Sequence, residues 1–379
     1  MRLSHISAGF IAAIVGFGGT LAILIHAATI VGASPSQIIS WVSAVCLSIA
    51  LSSLFLSWRY RIPIITAWST PGLALIGATS GYDMAQVTGA FICCALAIML
   101  TAFIKPLSLA LNHIPAGISS GMLAGVLLSF IIKAMALMGS DAAFVLPLII
   151  LFFAVRRFQP SFAVLIVLIA GLIYASISGN INTIPSLQLS SLEFSIPNFQ
   201  WNALIGLALP LYLVTMASQN LPGFAVLRAS GYEPPVKSCL SITGVFSLIS
   251  AFLCASSTNL AAISAAICTG RDAGKDPKTR WYSGIAYAGF YLFFAIFSAS
   301  LVAVFASLPA ALIVLISGLA LLGAFSGALT QALAIDRQRI AAIITFAITA
   351  SNISIFSIGA PFWALMAGLI IYIIGEPKH

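Results

Sequence analysis

Three short polar clusters interrupt an otherwise apolar chain: Trp68-Ser69-Thr70-Pro71-Gly72, Gln219-Asn220 and Ser257-Thr258-Asn259. None pairs a nucleophile with a base, joins two carboxylates or assembles metal ligands, so none suits covalent or hydrolytic chemistry. They suit anion binding. Thr70 is placed to cap a helix with Pro71 at its first position, where the missing N–H is harmless. Ser257 or Thr258 is placed to cap a second short helix that ends at Gly270. A helix N-terminus presents unpaired N–H groups and about half a positive charge, and two such ends facing each other make a site for an anion. Ser69, Gln219, Asn220 and Asn259 would supply neutral polar contacts. The structural reading of the same residues is Ser and Thr bonded back to their own turn, with amides gluing helices together.

The carboxylates favour the anion reading by their placement. All eight (Asp83, Asp141, Glu193, Glu233, Asp272, Asp276, Asp336 and Glu376) fall in loops or at the ends of apolar segments. A membrane site for an organic cation calls for a buried carboxylate counter-ion. His26 is the histidine placed well inside an apolar segment, either as a proton relay or as a satisfied polar residue near an interface. Asn352 falls in a late apolar segment. The six cysteines, Cys46, Cys93, Cys94, Cys239, Cys254 and Cys268, lie in apolar stretches without a CxxC pair, as small buried hydrophobes do. No metal and no cofactor is expected. There is no H-E-x-x-H and no phosphate-cradling loop, and the chain is read as a non-enzyme.

Membrane helices must position these residues. The chain has 379 residues, 61% hydrophobic and 6% charged, with mean hydropathy +1.13, against about 25% charged residues in a soluble domain. Such a chain needs lipid to solvate its exterior. The net charge of +8 reflects basic residues at membrane boundaries; no basic run with interleaved aromatics marks a nucleic-acid partner. The apolar run from Ser7 to Val31 is too long for a signal peptide and reads as the first span.

A ruler of about 20 apolar residues per span gives roughly fourteen segments. Their cores are 8–31, 35–57, 62–80, 84–104, 115–138, 142–155, 160–178, 201–219, 237–253, 254–270, 281–305, 309–329, 339–357 and 360–375. With the N-terminus inside, alternation places 15 of the 16 Lys and Arg on the cytoplasmic side, leaving Lys133 near the outer end of the fifth segment. The longest outer connection, Gly179 to Gln200, contains the helix breakers Asn180, Asn182, Pro185 and Pro197 and is expected to lie extended or on the membrane surface. It divides the chain into halves, 1–179 and 201–379.

The halves repeat. Ala67-Trp68-Ser69-Thr70 corresponds to Ala255-Ser256-Ser257-Thr258, and Ile114-Pro115-Ala116 to Leu308-Pro309-Ala310. Seven spans per half is odd, so the halves must be inverted, the usual build of a secondary transporter. The third segment reads as broken: β-branched, proline-bearing Ile62-Pro63-Ile64-Ile65-Thr66 is extended, and a helix from Pro71 to Ser80 is only about 15 Å long, half a membrane core. The tenth segment matches, with an extended stretch before its cap. Gly16, Gly18 and Gly19 allow the first helix to bend or pack closely.

Thr66-Ala67-Trp68-Ser69-Thr70-Pro71-Gly72 resembles the third-helix motif of the benzoate:proton symporter family (BenE type). So do Leu209-Pro210-Leu211-Tyr212-Leu213-Val214-Thr215-Met216-Ala217-Ser218-Gln219-Asn220, with Pro222-Gly223 and Gly231-Tyr232 after it, and Ala261-Ala262-Ile263-Ser264-Ala265-Ala266-Ile267-Cys268. The resemblance implies an all-α membrane fold of seven-plus-seven inverted repeats, shared with nucleobase and sulfate transporters. A core of spans 1–4 and 8–11 (8–104 and 201–305) would move against a gate of spans 5–7 and 12–14 (115–178 and 309–375). Substrate would sit between the third and tenth helices, with the eighth contributing. The implied activity is proton-coupled uptake of benzoate or a related aromatic carboxylate across a bacterial inner membrane. A homodimer is compatible with this fold. Nucleobase relatives carry acidic residues on the eighth and tenth helices. Gln219, Asn220 and Asn259 stand in those neighbourhoods here, which favours an anion and leaves the proton carrier, His26 or the substrate itself, open. Another organic anion, a nucleobase, a passive anion channel and a non-transporting sensor are the alternatives.

The charge alternation predicts that both termini and the Arg271–Arg280 loop are cytoplasmic and that the 179–200 connection is outside. Single cysteines placed in the last segment should resist membrane-impermeant thiol reagents in intact cells; labelling there from outside overturns this topology.

Overall fold

The computed structural model describes residues 2–18, 20–79, 81–104, 115–177, 187–356 and 358–374. Gly19, Ser80, Lys105, Ile114, the 178–186 stretch with Asn180, Asn182 and Pro185, and Glu376 and Lys378 of the tail lie outside the described residues.

The chain folds as fourteen segments in the expected order. The first runs as two helices, Leu3–Gly18 and Leu21–Ile30, and the second is Pro35–Tyr60. The third is a strand, β1 (Thr66–Trp68), followed by the half-helix Thr70–Gly77. The fourth to seventh are Met84–Thr101, Ala116–Ser140, Ala142–Phe158 and Ala163–Ile177. The eighth is Trp201–Ala229 and the ninth Val236–Ala251. The tenth is a strand, β2 (Thr258–Leu260), and the short helix Ile263–Thr269. The eleventh is Trp281–Ile296 continued by Ser298–Ala306; Ala310–Leu333, Asp336–Ala350 and Ala360–Ile374 complete the set. Among the described residues six helices are each long and apolar enough to cross a bilayer, and the bent eleventh makes seven. The third and tenth cross as a strand plus a half-helix.

Local chemistry explains the helix starts. Ser34 and Gln37, and likewise Asp83 and Gln86, form reciprocal capping boxes at the second and fourth segments. Pro115 and Pro309 precede the fifth and twelfth helices with near-identical backbone angles (φ −58°, ψ 128° and φ −55°, ψ 135°), as repeat-related positions should.

Small residues let the helices approach. The fifth helix packs on the twelfth and thirteenth, the second on the eleventh, and the fourth on the ninth. Gly121 lies against the backbone of Ala342, and Gly244 against Met99. Van der Waals packing of small residues drives helix association in a bilayer, where apolar burial drives nothing. Ile132, Ile150, Ile173 and Phe293 are exposed outward, as lipid-facing side chains are.

Three expectations change, and the middle connection is as extended as expected. The eleventh segment bends by 67° at Phe297 rather than running straight to 305. Asn352 lies past the end of the thirteenth helix with φ 51°, not within it. The eighth segment continues to Ala229, ten residues beyond the expected end at Gln219. The described part of the middle connection is non-helical and is held along its length. Ser190 N–H donates to the Ile296 carbonyl (2.9 Å), Ser195 N–H to Phe252 (2.8 Å) and Asn198 N–H to Ala85 (2.8 Å). Ser195 is buried, while Leu187, Leu189, Leu192, Phe194 and Ile196 are exposed.

Candidate functional site

The breaks in the third and tenth segments meet. β1 and β2 pair antiparallel, with Thr66 opposite Leu260, Ala67 opposite Asn259 and Trp68 opposite Thr258. Ala261 N–H extends the ladder to the Ile65 carbonyl (2.9 Å). The backbone groups freed by unwinding two helices are thereby satisfied without water, as a membrane interior requires. Each strand then leads into its half-helix, so both helix N-termini lie at the pair.

Hydroxyls from neighbouring spans fasten the strands. Thr66 N–H donates to Ser53 Oγ (3.0 Å), and Thr258 N–H donates to Ser247 Oγ (2.8 Å). The second and ninth segments thus do the same work in the two halves. Thr258 Oγ1 also pairs with Ser48 Oγ (2.6 Å), and Tyr287 Oη donates to the Thr66 carbonyl (2.9 Å).

The caps differ from expectation. Ser69, not Thr70, caps the third-segment half-helix, accepting from Gly72 N–H at 3.0 Å. Pro71 is the second helical residue, one place later than expected. In the tenth segment neither Ser257 nor Thr258 caps a helix. Pairing with β1 holds Thr258–Leu260 extended, so the helix begins only at Ile263, with Ala262 at its N-cap and no side-chain cap bond. Asn259 is a strand residue.

The eighth segment carries two π-turns, Leu204–Ala208 and Met216–Asn220, each followed two residues later by a proline, Pro210 and Pro222. Proline removes an N–H and crowds the carbonyl four residues back; widening the preceding turn accommodates both. The second π-turn aims its two amides differently. Asn220, fully buried, accepts from Leu260 N–H through Oδ1 (3.0 Å) and donates through Nδ2 to Asn259 Oδ1 (3.3 Å). Asn259 Nδ2 in turn donates to the Ser257 carbonyl (3.1 Å). Gln219 carries no hydrogen bond among the described residues and faces the other way, into a cavity.

That cavity, of about 870 Å³, is the large opening at the pair. From the third segment it is lined by Ala67, Trp68, Thr70 and Pro71, and from the first by Val15, Gly16 and Thr20. The eighth adds Ala217, Ser218, Gln219 and Pro222, and the tenth Ala261, Ala262, Ile263 and Ser264. The opposite wall is the fifth helix (Ala116, Ser119, Ser120, Leu123) and the small-residue face of the twelfth (Ala320, Gly323, Ala324, Gly327, Gln331). None of its lining residues is charged. The Trp68 indole N–H donates to Thr20 Oγ1 (2.8 Å), which donates to the Gly16 carbonyl (2.7 Å). This chain crosses the break in the first segment and holds the ring of Trp68 at the cavity wall.

Of the residues expected at the site, Thr70 and Gln219 line the cavity. Ser69, Asn220, Ser257, Thr258 and Asn259 lie behind it and hold the strands and the cap. His26 is not among the lining residues; its ring meets Phe130 edge-on at 5.6 Å and lies beside Gly77 at the end of the half-helix. Trp68, Thr20 and Ser264 were not singled out. Trp68 stood inside the quoted motif, but its contact with Thr20 spans 48 residues and leaves no local signal. Gly117-Ile118-Ser119-Ser120-Gly121 has the spacing of a hydrolase nucleophile elbow. It lies inside the fifth helix, not on a strand-to-helix turn, and Gly121 is spent on packing.

An inverted pair of half-helices around a central cavity defines a membrane transporter of the seven-plus-seven class. Solved structures agree on the fold. The transmembrane domain of a cyanobacterium bicarbonate transporter, BicA, superposes with a TM-score of 0.65 at 14% identity, covering 97% of both chains. The overall structure of SLC26A9 gives 0.68 at 11% identity, covering 97% of this chain and 65% of that one. Within this class the chain belongs to the benzoate membrane transport protein family (BenE), whose model matches residues 1–374. It is 35% identical over 379 residues to the benzoate membrane transport protein of Acinetobacter baylyi (99% of this chain, 96% of the relative). It is also 35% identical over 369 residues to the inner membrane protein YdcO of Escherichia coli (97% of this chain, 94% of the relative).

Asn220→Ala should destabilise the site from behind. It leaves Leu260 N–H and Asn259 Oδ1 unpaired in a buried setting, a loss of about 1–3 kcal/mol for each stranded group. Thermal unfolding of the purified protein in detergent should show a lowered transition for Asn220→Ala and a near-parental one for Gln219→Ala. Equal transitions for the two contradict this division of labour.

Proposed function

We propose that the chain is a secondary transporter carrying benzoate, or a related small aromatic carboxylate, inward across a bacterial inner membrane together with a proton. The observation that carries this reading is the cavity: apolar, uncharged, aromatic at Trp68, and bordered by the N-terminus of the Thr70–Gly77 half-helix. An anion gains there from the Thr70 N–H and the helix dipole, worth up to about 2 kcal/mol when partly buried. Gln219 supplies an uncommitted amide, and the apolar wall receives a ring. The names of the two 35% identical relatives support the choice of benzoate and of the inner membrane.

The cavity wall is divided between two sets of spans, the first, third, eighth and tenth on one side and the fifth and twelfth on the other. We take these as the core (8–104 and 201–305) and the gate (115–178 and 309–375), whose relative movement opens the cavity to alternate sides. In the present structure it opens toward Ala116 and Gln331, both exposed, the side assigned to the cytoplasm by basic-residue placement. The seam between His26 and Phe130 lies toward the other side. His26 stands off the cavity, so the proton is assigned to the substrate's own carboxylate, which binds as the anion and is protonated for the crossing.

Proteoliposomes should accumulate benzoate when an inward proton gradient is imposed and should only equilibrate it without one. Flux indifferent to the gradient would make the protein a passive channel. Gln219→Glu should weaken benzoate binding at neutral pH by about tenfold or more, because it sets like charge beside the anion. Parental affinity in that variant removes the carboxylate from this end of the cavity. His26→Gln should retain gradient-driven accumulation; loss of accumulation with exchange preserved would instead make His26 the proton relay.

A further inference from the structure

The gate wall of the cavity carries a serine that is bonded to nothing. Ser120 is more than nine-tenths buried, lines the cavity and makes no hydrogen bond among the described residues. A serine inside a helix ordinarily bonds back to its own turn, and the other serines of the fifth helix do so. Ser119 Oγ donates to the Pro115 carbonyl (3.3 Å), Ser129 Oγ to the Val126 carbonyl (2.9 Å) and Ser140 Oγ to the Leu137 carbonyl (3.2 Å). A buried hydroxyl left open toward a cavity is met in native proteins by water or ligand.

Packing fixes the height of Ser120. Its neighbour Ser119, with Met122, faces Met216, Ala217 and Leu221 across a small cavity. The fifth helix therefore passes the eighth span at the π-turn that presents Gln219. The twelfth helix runs antiparallel to the fifth: Gly117 lies against the Ala332 carbonyl, and Ala134 against Gly318. One turn in from Gly117, Ser120 stands level with the turn around Gly327. Gly327 also lines the cavity, and a methyl group built on it meets nothing within 4 Å. Gly121, Gly125 and Gly318 are instead in tight contact with neighbouring helices. Glycine inside a helix is unfavourable relative to alanine, and close packing does not account for it at 327.

We infer that Ser120 is the gate's own contact with the carried acid, made when core and gate close around it, and that Gly327 supplies the clearance for that closure. The inference rests on the aromatic-carboxylate reading. In the open cavity the carboxylate lies on the core wall, at Thr70 and Gln219. Protonated for the crossing, it presents one O–H donor and one carbonyl acceptor, and a serine hydroxyl pairs with either. A contact made only in the closed state shifts the equilibrium toward closure. It therefore speeds translocation rather than tightening binding to the open form. A side chain at 327 would stand between the approaching walls.

The test is benzoate binding to the purified protein and benzoate exchange in proteoliposomes, for the parent, Ser120→Ala and Gly327→Ala. Ser120→Ala breaks no hydrogen bond and Gly327→Ala enters open space, so neither should lower the thermal unfolding transition. Ser120→Ala should reduce the maximal exchange rate by about threefold to tenfold and change benzoate affinity by less than about twofold. Gly327→Ala should slow exchange with affinity likewise retained. A parental exchange rate in either variant overturns the inference. So does a Ser120→Ala protein that loses affinity in step with rate, or unfolds earlier than the parent, because the serine then serves the open site or packing. In each of those cases the parent still carries benzoate and the aromatic-carboxylate reading stands. If the parent neither binds nor exchanges benzoate, that reading falls, and the gate contact with it.

Discussion

Backbone hydrogen bonding in the absence of water is the constraint on which this molecule depends. A transporter needs an irregular, polar centre, yet every unwound turn inside a bilayer exposes N–H and C=O groups that lipid cannot satisfy. The chain meets this by breaking two helices at the same place and pairing the broken backbones as β1 and β2. What the pair itself leaves open is closed by Ser53, Ser247, Asn220 and Tyr287 from the surrounding spans. The cavity and its helix N-terminus exist because this pairing is complete.

Completing it consumes most of the polar side chains near the centre. Thr66, Thr258, Asn259 and Asn220 are all fully buried and bonded within the protein. Few uncommitted side chains remain at the cavity among the described residues: Thr70 and Gln219 on one wall, Ser120 and Gln331 on the other. The cavity is therefore mostly apolar, with polar side chains on both walls: Thr70, Ser218 and Gln219 on one and Ser119, Ser120 and Gln331 on the other.

The eighth span shows how a strained helix divides two neighbouring residues between two tasks. Pro222 forces a wide turn at Met216–Asn220, and the wide turn points Asn220 at the strands while Gln219 enters the cavity. On a regular helix successive residues lie about 100° apart. The first span serves the site by a related device. Thr20 there holds the Trp68 ring, and Gly16, one helical turn earlier, lines the cavity without a side chain.

The sequence by itself determined the solvent, the span count, the inverted halves and the interruption of the third and tenth segments, because hydropathy, basic-residue placement and proline or hydroxyl clusters are local or periodic signals. It also marked the centre, since Ser69-Thr70-Pro71 and Ser257-Thr258-Asn259 are polar where lipid forbids idle polarity. Only the tertiary structure decided what each of these residues does. Ser69 rather than Thr70 caps the half-helix, and the tenth-segment helix starts at Ile263, because β1 and β2 claim the intervening backbone across nearly 200 residues of sequence. Asn220 and Gln219 are adjacent letters with the same chemistry. Which one holds the strands and which one faces the cavity depends on the widened turn and on where Leu260 happens to present its N–H. Such long-range pairing has no period and no local propensity, so no reading of the chain in order contains it.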